Sequence, residues 1–254
     1  MTEPKLLRTK VLWGLGRPAV RVVGRAAFAL RVEHHSALPR PPFVVAANHY
    51  SHLDPPVIGA ALDLPIRFLA LDDLFGVHWL LDWLVTGFES IPIPRQRLPI
   101  RALRTALAAL GEGEVVGVFP ESTRVSHWGT LPPKRGAAWL AIRAGVPLVP
   151  VAVIGTGRGF GLENRLRRAK IRVEVGEPID TYGLAVNDLT SRWAEWVGEQ
   201  VGRHPGSEVS GPRRAHFDGQ RNPSPLSEEP ADRIDQQGEP EADDDHRPNR
   251  DEHT

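Results

Sequence analysis

The chain has 254 residues, of which 41% are hydrophobic and none is cysteine, and its 31 basic side chains balance 31 acidic ones. This length is enough for one substantial core, so a single folded domain is the expectation. The lack of cysteine excludes disulfides, zinc–thiolate sites and a cysteine nucleophile, so a covalent intermediate would need another residue type.

The neutral total conceals an uneven distribution of charge. Residues 1–31 carry seven basic side chains and one acidic one, residues 32–202 carry 17 of each, and residues 203–254 carry 7 basic and 13 acidic. Such asymmetry is typical of proteins that meet a charged partner surface. We find no apolar run of about 18 residues that would span a membrane and no signal peptide, so a cytoplasmic protein is expected.

The first 31 residues predict amphipathic helices. Arg17, Arg21 and Arg25 recur at every fourth position and form one stripe, while small and aliphatic residues occupy the other side. Such helices can lie in a membrane interface and attract anionic headgroups. The alternative is that they pack on the domain with the arginines in water.

From residue 43 the chain alternates strand-like and helical patterns. Short apolar runs predict strands over residues 43–47, 91–93, 115–119, 148–154 and 171–175. Helical spacing predicts helices over residues 73–86, 97–111, 135–144 and 186–202. We therefore expect an α/β fold with a mostly parallel central sheet flanked by helices.

Two further segments complete the predicted organisation. The helix over residues 73–86 is rich in tryptophan and leucine, so it forms either part of the core or an apolar wall for an acyl chain or membrane. Residues 203–254 are poor in aromatics and rich in Pro, Gly, Asp, Glu and Arg, so they predict a disordered acidic tail. The predicted domain therefore covers residues 32–202, between the N-terminal helices and this tail.

The first candidate site is the segment over residues 48–54, directly after the predicted strand 43–47. His49 and Asp54 are close enough in sequence for the carboxylate to reach the imidazole across a turn or first helical turn. A carboxylate on one ring nitrogen fixes the tautomer and leaves the other nitrogen as a base. A chance pairing is the alternative; His52 is a rival base, and a His/His/Asp metal site would lack a further strong ligand nearby.

The second candidate site is the segment over residues 119–124, directly after another predicted strand. Arg124 offers paired donors that suit a phosphate, and Glu121 could orient that arginine or a substrate hydroxyl. Thr123 and free backbone N–H groups add further donors. The alternative is a surface turn with an ordinary ion pair.

These segments together resemble the glycerophospholipid acyltransferases typified by 1-acylglycerol-3-phosphate acyltransferase. That family has four ordered sequence blocks, and a fifth short segment follows the third block. The counterparts in this chain are Asn48-His49-x-Ser51-x-x-Asp54, Ile91-Pro92-Ile93-Pro94-Arg95, Phe119 to Arg124, Val146-Pro147-Leu148-Val149-Pro150-Val151, and Lys134-Arg135-Gly136-Ala137-Ala138 after the third block.

The resemblance implies roles for several of the matching residues. His49 would be the general base and Asp54 its partner, whereas Arg95 would contact the phosphate of the acceptor. The same pocket would be lined by the residues of the third block, which are Glu121, Ser122, Thr123 and Arg124. The fourth block would contribute structure and part of the site for the acyl or thioester end of the donor.

The resemblance also implies the reaction and its surroundings. The acyl chain would pass directly from acyl-CoA or acyl-carrier protein to a lysophosphatidic-acid-like membrane lipid, giving phosphatidic acid. No cofactor, metal or nucleic acid is implied. The protein would be peripheral on the cytoplasmic face of the membrane and bind an anionic lipid surface.

Three positions depart from the family pattern. Ser122 replaces the usual Gly, where a Cβ would oppose a positive φ, and Ser90 and Pro94 differ from the common residues of the second block. These changes leave the acceptor open, with glycerol 3-phosphate, another lysophospholipid, or a lipid amine or glycolipid as alternatives. Hydrolysis of a thioester or ester, or membrane binding without catalysis, would be different functions for the same fold.

Overall fold

The computed structural model describes residues 28–71, 90–93, 100–160 and 167–205, together with Val22 and Ala26. Within these ranges the strands are β1 (Arg31–His34), β2 (Phe43–Ala47), β3 (Arg67–Leu71), β4 (Ile91–Ile93), β5 (Val115–Val118), β6 (Leu148–Ile154) and β7 (Arg172–Val175). The helices of the same ranges are α1 (Asp54–Leu62), α2 (Ile100–Gly111), α3 (Gly136–Ala144), α4 (Thr156–Gly159) and α5 (Val186–Gly202).

The strands form one sheet in the order β1-β7-β6-β2-β5-β3-β4. All neighbouring pairs are parallel except β6 and β7, so β1 and β7 run opposite to the other five strands. The predicted α/β fold with a mostly parallel sheet is therefore confirmed. The central strand β2 is completely buried, which explains its uninterrupted apolar sequence.

The two faces of the sheet carry two separate hydrophobic cores. Val44 and Ala46 of β2 face one core, which α2, α3 and α5 cover, and Trp193 of α5 donates an indole hydrogen bond of 2.8 Å to the carbonyl of Ala46. Phe43 and Val45 face the other core, which is covered by α1. Side chains alternate between the faces along a strand, so β2 supplies both cores.

The sequence patterns located most of these elements. Strands over residues 43–47, 91–93 and 148–154 and the helix over residues 186–202 occur as predicted, and Gly145 ends α3 in a left-handed conformation with φ 64°. The patterns missed β1, β3, α1 and the four-residue α4. β1 is exposed along its whole length, so it lacks an apolar signal, and α1 carries two prolines in its first turn, where a helix tolerates them.

Several predictions concern residues outside the described ranges. These are most of the amphipathic helices over residues 1–31, the helix over residues 73–86, Arg95, and the acidic tail beyond residue 205. Among the described residues, no helix has the length and hydropathy needed to cross a membrane.

Candidate active site

The candidate residues collect where the central parallel strands end. β2 lies between β5 and β6 and runs parallel to both, so the carboxyl ends of these three strands meet at one edge of the sheet. We call this edge the site edge. The edge at the amino ends of β2, β5 and β6 is called the opposite edge. Ligands of open α/β sheets bind at the carboxyl ends of strands, so the site edge is the expected location of chemistry.

His49 and Asp54 form a hydrogen-bonded pair at the site edge. Nδ1 of His49 lies 2.8 Å from Oδ2 of Asp54, and the Asp54 carboxylate is fully buried, whereas the His49 side chain keeps 16% of its exposure. Nε2 of His49 makes no hydrogen bond with any described residue. Because a carboxylate accepts only, this geometry assigns the proton to Nδ1 and leaves Nε2 with a free lone pair.

Local backbone structure holds Asp54 in this position. Asp54 is the first residue of α1, and the segment before the helix turns back so that the backbone N–H groups of Tyr50 and Ser51 both donate to Oδ2 at 2.7 Å. The same oxygen therefore accepts three hydrogen bonds. Oδ1 is buried without a hydrogen-bond partner among the described residues. These three donors fix the carboxylate beside the His49 ring, where it can stabilise an imidazolium.

Glu121 connects the second candidate segment to the first. Its Oε2 accepts a hydrogen bond of 2.6 Å from the backbone N–H of His49, and the carbonyl of His49 accepts one of 2.9 Å from the N–H of Val125. Burial raises the pKa of Glu121 to about 8; the charge of Asp54 adds to the rise, and the His49 N–H opposes it. Glu121 is therefore largely protonated at neutral pH.

Arg124 also lies close to the pair, within reach of the charge of Asp54. Its Nη1 is buried, and no described residue accepts a hydrogen bond from it. Burial lowers the pKa of Arg124, while the negative charge of Asp54 acts in the opposite direction. An arginine always carries its charge in proteins, so a buried unpaired guanidinium nitrogen suits an anionic group of a ligand.

The structure disfavours His52 as the base. Burial first, and then the charge of Arg124, lower the pKa of His52 to about 4, and the carboxylate of Asp54 is bonded to His49 instead. His52 is thus a neutral and weak base beside the pair. Within the described ranges, no group of three or more histidine and carboxylate side chains is arranged to hold a metal ion.

The other residues of the third block are placed less directly. Ser122 has φ 57°, so this serine adopts the left-handed conformation that glycine adopts most readily, and its hydroxyl donates to the carbonyl of Glu121 at 2.7 Å. Thr123 is exposed. Lys134 is held beside the block by a bond of 2.8 Å from its N–H to the carbonyl of Pro120, and burial lowers its pKa.

Three residues take part in the site although the sequence assigned them no role. The Asn48 side chain donates to the carbonyl of Val153 at 2.8 Å and accepts from its N–H at 2.7 Å, which fastens the end of β2 to β6 just beyond the fourth block. Ser51 donates to the carbonyl of Phe160, just after α4. The ring of Phe119 stacks on His49 with centroids 4.0 Å apart. All three residues belong to the matched sequence blocks, and this was the only feature of the sequence that could have predicted their part in the site.

Comparison with known proteins places these blocks in a family. A family model described as Acyltransferase matches residues 29–154, a range that contains all four blocks. The 1-acyl-sn-glycerol-3-phosphate acyltransferase of Bacillus subtilis (strain 168) is 33% identical over 138 residues, which are 54% of this chain and 66% of that protein. The human 1-acyl-sn-glycerol-3-phosphate acyltransferase alpha is 35% identical over 191 residues, which are 72% of this chain and 62% of that protein.

The fold has a match among solved structures. The crystal structure of the 1-acyl-sn-glycerophosphate acyltransferase from Thermotoga maritima gives a TM-score of 0.62 at 24% identity, covering 80% of this chain and 83% of that one. The chain spans about half to two thirds of the length of the first curated relatives it matches. The four blocks, the family model and these relatives agree, and the chain belongs to the acyltransferase family that includes the 1-acyl-sn-glycerol-3-phosphate acyltransferases.

Proposed function

We propose that this protein transfers an acyl chain from an acyl thioester to the free hydroxyl of a lysophosphatidic-acid-like acceptor and so makes phosphatidic acid. The observation that carries the proposal is the contact of 2.8 Å between Nδ1 of His49 and the buried carboxylate of Asp54, with Nε2 left as a base. The names of the relatives support the same acceptor class.

The chemistry of the proposed step is a direct transfer. Nε2 of His49 takes the proton of the acceptor hydroxyl while the oxygen attacks the thioester carbonyl carbon, and Asp54 stabilises the imidazolium that forms. The C–S bond then breaks, and the thiolate that leaves takes the proton back from Nε2. General base catalysis of this kind contributes typically about 10²–10⁴-fold.

The acceptor pocket of the proposal is built from unpaired polar atoms. Oε1 of Glu121 and Nη1 of Arg124 are both buried and lack hydrogen-bond partners among the described residues. We propose that Arg124 binds the acceptor phosphate and that Glu121 contacts an oxygen of its glycerol part, with Ser122 and Thr123 at the rim. Arg95, two residues after β4 in the sequence, would add a second cation. β4 itself lies three strands from β2, or about 14 Å across the sheet.

The donor in this proposal is acyl-CoA or acyl-carrier protein, and no cofactor or metal takes part. The chain lacks cysteine, so an acyl-enzyme thioester cannot form. A ternary complex of donor, acceptor and enzyme fits a site in which one base faces one pocket, because no second nucleophile is required.

We further propose that the site edge faces an anionic lipid surface, with the protein peripheral on the cytoplasmic side of the membrane. The described residues between β6 and β7 lie at this edge, because the carbonyl of Phe160 accepts a hydrogen bond from Ser51 and the N–H of Arg167 donates one to the carbonyl of Gly159. Exposed basic residues of this edge are Arg31, Arg158, Arg167, Arg168 and Lys170. Basic side chains near such a surface each contribute about 1 kcal/mol to binding.

The opposite edge has a different composition. Five exposed acidic residues lie there, after the ends of α1, α2 and β7 and at the start of α5. They are Asp63, Glu112, Glu177, Asp180 and Asp188. The separation of charge between the edges favours one orientation on an anionic membrane, with the mouth of the site towards the lipid acceptor.

A steady-state assay tests the proposed reaction. Purified protein receives acyl-CoA and lysophosphatidic acid, phosphatidic acid is measured by mass spectrometry, and released thiol is measured with a thiol reagent that meets no protein cysteine. His49→Ala and Asp54→Asn should lower kcat by about 10²–10⁴-fold. The matched controls His34→Ala and Asp63→Asn alter exposed residues away from the pair and should keep the wild-type rate.

The alternatives give different products in the same assay. Phosphatidic acid formed at the wild-type rate by His49→Ala would contradict the assigned base. Thiol released with free fatty acid in the absence of acceptor would indicate a hydrolase instead. A panel of glycerol 3-phosphate, other lysolipids and glycolipids identifies the acceptor if lysophosphatidic acid is not used.

A further inference from the structure

His49 belongs to a column of three aromatic rings that lies across three neighbouring strands. The rings of His49 and Phe119 are 4.0 Å apart between centroids and inclined by 17°, and those of Phe119 and Phe68 are 5.3 Å apart and inclined by 13°. His49 follows β2, Phe119 follows β5 and Phe68 lies in β3, and these strands are adjacent in the sheet. Each strand therefore contributes one ring to one stack.

A glycine in β5 makes room for the column. Gly117 pairs with Phe68 in the sheet register, and a Cβ at Gly117 would lie 2.4 Å from Cδ1 of Phe68. The ring of Phe68 thus lies over the backbone of β5 where any larger residue would exclude it. Phe119 is two residues beyond Gly117 and so faces the same side of the sheet, which brings its ring against Phe68.

The column supplies a constraint that hydrogen bonds do not. Asp54 holds His49 at Nδ1, and Glu121 and Val125 hold its main chain. A ring held through one nitrogen can still tilt about that bond, and such a tilt changes where Nε2 points. Phe119 covers one face of the imidazole at van der Waals distance and blocks the tilt in that direction.

We infer that Phe119 is a positioning residue that aims Nε2 of His49 at the acceptor hydroxyl, and that Gly117 and Phe68 hold Phe119 in place. The inference rests on the proposed role of His49 as the base. The face of a phenyl ring is also electronegative and attracts a cation, so the contact strengthens when the imidazolium forms.

Three variants separate positioning from general stability. Phe119→Leu keeps apolar volume and removes the ring, Phe119→Tyr keeps the ring, and Phe43→Leu makes the same change at a fully buried position of the same core, outside the column. Thermal unfolding confirms that each variant is folded at the assay temperature. Phe119→Leu should lower kcat by roughly 10- to 100-fold, the effect of a small misplacement of a reacting group, while KM for both substrates changes little.

The matched variants complete the kinetic comparison. Phe119→Tyr should restore most of the loss in kcat, and Phe43→Leu should keep the wild-type kcat. If Phe119→Leu and Phe43→Leu have equal kcat values, or if Phe119→Leu changes only KM, the positioning role is wrong.

An NMR measurement tests the contact independently of activity. The Hδ2 and Hε1 protons of His49, assigned with His49→Gln, lie near the face of Phe119, so its ring current should shift them upfield. The shift should disappear in Phe119→Leu and persist in Phe119→Tyr and Phe43→Leu. An unchanged shift in Phe119→Leu overturns the inference, whereas a wild-type protein without acyltransferase activity but with the expected shifts contradicts only the proposed function.

Discussion

The backbone N–H of His49 donates a hydrogen bond of 2.6 Å to Oε2 of Glu121, a residue 72 positions further along the chain. This bond joins the first and third sequence blocks at the main chain of the proposed base. It occupies one oxygen of the carboxyl group and leaves Oε1 buried without a partner among the described residues. A protonated Glu121 can keep this bond through its carbonyl oxygen, because only one of the two oxygens carries the proton.

The raised pKa of Glu121 predicts a pH dependence of stability. Burial moves this pKa from 4.5 to about 8 in the folded protein, so between these values the folded state binds more protons than the unfolded state. The contribution of Glu121 to stability is therefore complete below pH 4.5 and is lost as pH rises through about 8. Glu121→Gln cannot titrate, so the stability of the wild type relative to this variant should fall by about 1.4 kcal/mol per pH unit within that window.

Urea unfolding of both proteins at several pH values between 5 and 9 measures this difference. A constant offset is expected as well, because the amide N–H₂ of Gln replaces a buried oxygen that has no described partner. Only the slope with pH tests the prediction. Glu112→Gln changes an exposed carboxylate at the opposite edge and serves as the control. If the stability difference from wild type depends on pH in the same way for Glu121→Gln and for Glu112→Gln, the prediction is wrong.

Ser122 predicts an unusual order of stability among substitutions. A non-glycine residue in the left-handed region costs about 1–2 kcal/mol, whereas glycine makes the unfolded chain more flexible by about 0.4–1 kcal/mol. Ser122→Gly should thus be neutral or slightly stabilising, although it loses the bond to the Glu121 carbonyl. Ser122→Val should destabilise by about 1–3 kcal/mol, because a β-branched side chain is strained at φ 57°.

The adjacent exposed residue provides the control for this series. Thr123→Val introduces the same side chain where positive φ is absent, so it should change the urea midpoint much less than Ser122→Val. Equal midpoints for the two valine variants would show that the conformation of Ser122 carries no strain.

Gly117→Ala should destabilise the sheet at the base of the ring column. The added Cβ would meet two ring carbons of Phe68 at 2.4 and 2.5 Å and Cγ2 of Ile66 at 2.9 Å. Such overpacking typically costs about 1–3 kcal/mol. Gly111→Ala is the control, because a Cβ there has no heavy atom within 4 Å. If the double variant Gly117→Ala with Phe68→Leu is no more stable than Gly117→Ala alone, the clash with Phe68 is not the cause.

The sequence predicted the family, the α/β fold and the convergence of His49, Asp54, Glu121 and Arg124. Each of the two segments follows a buried strand, and the carboxyl ends of parallel strands meet at one edge, so their proximity follows from topology. The stacking of Phe119 on His49 could not be predicted from the sequence. It depends on the adjacent positions of β2, β5 and β3 in the sheet and on the space over Gly117. Strand order is a property of long-range packing that local periodicity does not contain.

The local conformations were harder still to predict. Ser122 was expected to oppose a positive φ, yet it has φ 57°. It lies in the turn between Glu121 and Arg124, which both carry a buried polar atom, and local propensity does not contain the tertiary contacts of that turn. The strand β1 was missed since its exposed, charged residues show no apolar alternation. Its pairing with β7 stabilises it, and this pairing is not visible in the local sequence pattern.

The basic residues of the site edge predict a measurable preference for anionic lipid. Arg168 and Lys170 are exposed beside the segment that bonds Ser51, whereas Arg40 and Arg143 are exposed at the opposite edge. Removing two charges close to the lipid should cost about 2 kcal/mol, or roughly 30-fold in affinity. Arg168→Gln with Lys170→Gln should therefore bind phosphatidylglycerol-containing vesicles far more weakly than wild type.

Cosedimentation with phosphatidylcholine vesicles, with and without phosphatidylglycerol, measures this effect at two salt concentrations. Arg40→Gln with Arg143→Gln changes the net charge equally but at the other edge, so it should bind nearly as the wild type does. High salt should reduce the difference between the two double variants, since surface charges are screened beyond about 8–10 Å. Equal losses in both double variants would mean that total charge, and not the site edge, determines binding. If Arg168→Gln with Lys170→Gln leaves vesicle binding unchanged but slows the reaction with acyl-carrier protein, the partner of this edge is an acidic protein.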